Sequence, residues 1–80
     1  MIGATKMRAE DYRSRQEDLA GWRIGIVSYR LGERWFCEID NVTPGARLTR
    51  RDGTTREEAE RAALERARDM LSRTRTFPTE

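Results

Sequence analysis

Apolar residues alternate with polar ones from Trp22 to Leu31, which places Trp22, Ile24 and Ile26 on one side of an extended chain and Arg23, Gly25, Val27 and Tyr29 on the other. The alternation resumes from Arg34 to Asp40, with Trp35, Cys37 and Ile39 on one side and Arg34, Phe36 and Glu38 on the other. Leu31-Gly32-Glu33 supplies the turn between them, so the two runs predict a hairpin with one clearly more apolar face. Asn41 to Gly45 contains the turn dipeptide Pro44-Gly45 and reads as a loop. A third strand is expected from Ala46 to Arg51, with Ala46 and Leu48 inward and Arg47, Thr49 and Arg51 outward.

Beyond Asp52-Gly53 the period changes to that of a helix. Ala59, Ala63, Ala67 and Met70 fall in one arc at 100° spacing, flanked by Ala62, Leu64 and Leu71, and charged residues occupy the opposite arc. Thr55 followed by Glu58 has the spacing of a capping box, in which the Thr hydroxyl accepts from the Glu58 amide and the Glu58 carboxylate returns to the Thr55 amide. Thr54 with Glu57 offers the same spacing one residue earlier. Small residues along the apolar arc let this helix lie close on a sheet, and Trp22, Ile24, Ile26, Trp35, Cys37, Ile39 and Leu48 form the surface it would cover.

Before the first strand, the first twenty residues are rich in helix formers between Met7 and Glu17 but carry only a sparse apolar stripe, chiefly Ala9, Tyr12 and Leu19. Residues 1 to 20 therefore read as a helix from about Thr5 to Asp18 or as an arm, and 74 to 80, with Phe77-Pro78, as a tail. The predicted class is α+β: one domain over 1 to 80, a three-stranded antiparallel sheet with a C-terminal helix on one face, preceded by an N-terminal helix, in the order α-β-β-β-α. Its core is residues 21 to 73.

Composition narrows the chemistry. With 36% hydrophobic and 38% charged residues in 80, nearly every large apolar side chain must enter a thin core, and self-association is one way to enlarge it. One cysteine and no histidine leave no intramolecular disulfide, no zinc site of Cys and His ligands and no Ser-His or Cys-His pair. Cys37, inside a strand pattern, reads as a small buried apolar residue. No apolar run has the length of a signal sequence or a membrane span, so the cytoplasm is expected, with neither membrane nor metal as a partner and no cofactor. Lys6 is the single lysine among 16 basic residues, a bias that either phosphate recognition or a GC-rich genome produces.

The order of hairpin, Pro44-Gly45, third strand and a helix carrying Gly53, Thr55, Glu57, Glu58, Ala59, Ala63 and Ala67 resembles the core of HicB-type antitoxins over residues 22 to 73. That resemblance implies a degenerate ribonuclease-H-like β-β-β-α-β fold and binding of a partner protein. The span from Pro44 to Thr55 is longer than in that family, and the family's C-terminal DNA-binding segment has no counterpart here. An α-β-β-β-α order is also similar to that of the double-stranded-RNA-binding domain, whose last helix presents basic residues to phosphates. The corresponding position here, Thr54-Thr55-Arg56-Glu57-Glu58, brings two glutamates to that terminus and opposes RNA.

Function is best sought on the sheet face away from the C-terminal helix. Arg23, Val27, Tyr29, Arg34, Phe36, Arg47, Thr49 and Arg51 are placed there, a mixture of aromatics and arginine typical of interface centres. The first expectation is a non-enzymatic binding module that meets another protein, or a second copy of itself, through this face or an edge strand. The alternative is nucleic-acid binding by stacking on the aromatics with arginines on phosphates. A cover from the N-terminal helix, with Tyr12 and Leu19, would leave neither. Glu38 and Asp40, two apart on one strand face, are spaced as a carboxylate pair for acid-base work or a magnesium site would be, but two acids in a strand near a turn read as a solvated edge, and no histidine, lysine cluster or phosphate loop accompanies them.

Overall fold

A computed structural model describes residues 8–42 and 45–73; Pro44, the first residues of the expected N-terminal helix and the 74–80 tail lie outside these. Four strands, β1 (Ala9–Leu19), β2 (Trp22–Leu31), β3 (Arg34–Asn41) and β4 (Arg47–Gly53), are followed by one helix, α1 (Arg56–Arg73). They form an antiparallel meander in the order β1-β2-β3-β4, and α1 packs chiefly over β4 and β3.

The element order is thus β-β-β-β-α, and the expected three-stranded sheet with an N-terminal helix is corrected by the pairing of Ala9–Leu19 along β2. Helix propensity is a weak preference that tertiary pairing overrides. What fixes the strand is the turn after it. Leu19 pairs with Trp22 across a two-residue loop in which Ala20 (φ 53°) and Gly21 (φ 85°) both take positive φ, the geometry whose twist matches paired strands.

The core lies between the sheet and α1. Leu19, Ile24, Ile26, Cys37 and Ile39 meet Ala59, Ala63, Ala67 and Leu71, and Trp22, Trp35, Leu48 and Leu64 close its margins. Of the seven sheet residues assigned to the inner surface from alternation, Ile24, Ile26, Cys37 and Ile39 are in this cluster, and Trp22, Trp35 and Leu48 pack against it partly buried. Cys37 is fully buried, and burial pushes its thiol up to about 12, so it is an apolar filler.

The helix start is a capping arrangement shifted by one residue on its return arm. Thr55 Oγ1 accepts from the Glu58 amide at 3.1 Å, as expected, but the Glu58 carboxylate accepts from the Thr54 amide at 2.7 Å and the Thr54 hydroxyl at 2.9 Å. These bonds, the amide's first, hold the Glu58 carboxyl below its ordinary range. A depressed folded pKa contributes stability that is present above the unfolded Glu value of about 4.3 and is lost as pH falls through the folded value. Thermal melts from about pH 5 down to about pH 2 should therefore show a smaller acid loss for Glu58→Gln than for the parent chain. Parallel acid profiles would remove Glu58 from the cap.

Candidate functional site

Side chains on the face opposite α1 come from alternate positions of all four strands. Tyr29 pairs with Phe36, Val27 with Glu38 and Gly25 with Asp40, so the second and third strands each present one apolar and one charged stretch. Tyr12 joins them through a bulge: the β1–β2 register shifts between Glu10 and Arg13, with Asp11 at φ 56°. The extra residue turns the Tyr12 ring onto Tyr29.

The result is a row of π systems that crosses the sheet. The ring centroids of Tyr12 and Tyr29 are 5.2 Å apart, and those of Tyr29 and Phe36 are 5.8 Å apart with a 17° interplanar angle. The Arg50 guanidinium lies 4.8 Å from the Phe36 centroid and ends the row on β4. Tyr29, in its middle, is 6% exposed, and its hydroxyl donates to Glu38 Oε2 at 2.5 Å. Burial and then this bond raise the Tyr29 phenol above its ordinary range, so it stays a donor at neutral pH.

Charges ring the row and are paired with one another. Arg34 Nη2 lies 2.7 Å from Asp52 Oδ2, and Arg23 Nε 3.2 Å from Asp18 Oδ1. Arg47 bridges Glu38 at 3.1 Å and Asp40 at 3.3 Å, while Arg50 Nε is 3.5 Å from Glu38 Oε2. Four arginines thus face four carboxylates, and the face carries no net charge. The Glu38–Asp40 pair belongs to this ring, engaged by two guanidinium groups and a phenol. Among the described residues no group of three or more His, Cys, Asp or Glu side chains is placed to hold a metal ion.

Of the residues assigned to this face from the sequence, Arg23, Val27, Tyr29, Arg34, Phe36 and Arg47 are on it. Thr49 and Arg51 are not. The β3–β4 register shifts between Ile39 and Asp40, so Leu48 is an extra residue, and Thr49 and Arg51 pair with Ile39 and Cys37 on the helix side. Arg50 and Asp52 take their places. A bulge inverts every later side chain, and no local feature of Arg47-Leu48-Thr49 announces one.

Tyr12 and Val42 are the further members that alternation missed. Val42 ends β3's run on this face, its amide donating to the Arg23 carbonyl at 3.0 Å. For Tyr12 a signal existed: Leu19-Ala20-Gly21-Trp22 is a two-residue turn between a charged run and a strand, and it predicts a hairpin partner upstream. No element among the described residues covers this face, and the expected N-terminal helix that would have done so is β1 at its edge. No described helix is long and apolar enough to cross a membrane. No protein-family model, curated protein or solved structure matches the chain.

Proposed function

We propose that this chain is a protein-interaction module that docks its partner on the open sheet face. One observation carries the reading: the exposed large hydrophobics among the described residues, Tyr12 at 64% and Val42 at 39%, both lie on this face, at opposite ends of the band formed with Phe36 and Val27. An apolar centre inside a polar, hydrogen-bonded rim is the anatomy of a protein interface.

Single-stranded nucleic acid is the competing occupant, favoured by the Tyr12–Tyr29–Phe36 row, on which bases would stack. The electrostatics weigh against it. Phosphate binding draws its affinity from cations that are free to replace counterions, and here each arginine of the face already holds a carboxylate.

A photo-crosslinking amino acid at Val42 tests the reading in the cells that make the protein, with Arg61 on the exposed face of α1 as the control position. Polypeptide adducts at Val42 and none at Arg61 support it. Nucleic-acid adducts at Val42, or no adduct there, overturn it.

A further inference from the structure

Given the interface reading above, on which this step rests, the geometry points to a second copy of this chain as the occupant of the open face, packed as an aligned β-sandwich with the helices outside. The two halves of the face differ in kind. The β1–β2 half is largely uncharged, with Ser14 opposite Val27 and Gln16 opposite Gly25. The β3–β4 half carries the Glu38, Asp40, Arg47 and Arg50 network.

A two-fold axis parallel to the strands, lying between the copies, lays each half on the other. Phe36 of each copy then meets Tyr29 of the other, and Arg47 and Arg50 come over the amide of Gln16 and the hydroxyl of Ser14. No arginine is laid on an arginine, and no unpaired charge is desolvated, because the ion pairs are already formed within each copy. Strand directions remain within the roughly 30° that packed sheets adopt. The thin core adds a second argument. Within one copy the helix-facing core is built largely from isoleucine and alanine, while Tyr12 and Phe36 keep exposed ring surface on the uncovered side, flanking the already buried Tyr29. In a chain of 80 residues that is a large share of the apolar surface available for burial.

Sedimentation equilibrium of the full chain from about 5 to about 500 µM decides it, a range that spans the dissociation constants of weak and moderate dimers. The expected result is a mass that rises with concentration from 9.4 kDa towards twice that value. Val27→Glu should hold it at the lower value. Gln16, exposed on its edge strand, gives a pair of variants with opposite signs and no burden on the fold: Gln16→Glu, set against Arg47 of the other copy, should tighten the dimer about fivefold, and Gln16→Lys should loosen it about as much. A mass of one chain at every concentration overturns the inference, as does a dimer indifferent to both Gln16 substitutions. If the chain stays monomeric while the Val42 crosslinker captures a different polypeptide, the second-copy inference fails and the interface reading stands.

Discussion

Gly53→Ala is expected to lower the stability of the fold by about 3 kcal/mol, a large fraction of the 5 to 15 kcal/mol that holds a small domain together. Gly53 is buried at the end of β4, opposite Trp35, where the chain turns into the helix cap. A methyl group there would lie 2.9 Å from the Ala59 amide nitrogen, 2.9 Å from Glu58 Cβ and 2.9 Å from Glu58 Oε1. None of the three can retreat freely. The Ala59 amide donates to the Thr55 carbonyl at 3.0 Å, and Glu58 Oε1 accepts both Thr54 bonds. The methyl group must therefore push the first turn of α1 off the sheet or break the cap, combining overpacking of 1 to 3 kcal/mol with about 1 kcal/mol of lost capping. Gly25→Ala is the control, because its methyl meets only Val42 Cγ2, at 4.0 Å. There the reduced freedom of the unfolded chain should leave stability level or raise it by about 0.4 to 1 kcal/mol. Urea unfolding of both variants reads the contrast at a common slope, as a midpoint lowered in Gly53→Ala and unchanged or raised in Gly25→Ala. A Gly53→Ala midpoint equal to that of Gly25→Ala would mean that the strand-to-helix corner has room that the geometry denies it.

Sequence pattern is informative where an element has one face in the core. The hairpin of β2 and β3 was legible because each strand has one face in the core: Ile24, Ile26, Cys37 and Ile39 recur at every second position, and only one assignment of faces buries them all. The alanine face of α1 was legible for the same reason at the helical period. β1 is exposed on both sides for most of its length, so no apolar alternation existed to be read, and helix-forming residues filled positions that burial does not constrain. The candidate site inherits this division. Tyr29 and Phe36 come from the strands with a buried side, whereas Tyr12 depends on a bulge in β1 and Arg50 on a bulge in β4. Bulges are decided by pairing with the neighbouring strand, information that a single strand's sequence does not contain.

Arg56→Met should cost about 3 kcal/mol, since this one side chain joins the helix to three strands. Its guanidinium donates to Ser28 Oγ on β2 at 2.7 Å and to the Asp11 carbonyl, in the bulge of β1, at 2.8 Å. It also lies 4.5 Å from the ring centroid of Trp35 on β3. Ser28 is fully buried, so losing its donor leaves a hydroxyl without that partner in the interior, at about 1 to 3 kcal/mol, and the cation–π contact adds about 0.5 to 1 kcal/mol. Methionine keeps the apolar stem against Trp35, so the loss is charge and hydrogen bonding and not volume. Lysine should recover little, because a point charge cannot reproduce two divergent bonds from one planar fork. A double-mutant cycle with Ser28→Ala separates the parts. Alanine removes the orphaned hydroxyl, so the double variant should be more stable than additivity predicts by about 1 to 2 kcal/mol. Hydrogen exchange locates the effect: amides of β1 near Asp11 should exchange faster in Arg56→Met, while those of the β2–β3 hairpin, held by the core, stay protected. Exchange that rises equally in all strands would show that Arg56 acts only on global stability. Local acceleration in β1 would show that the bulge, and with it the placement of Tyr12 on the open face, is held from the helix side of the sheet.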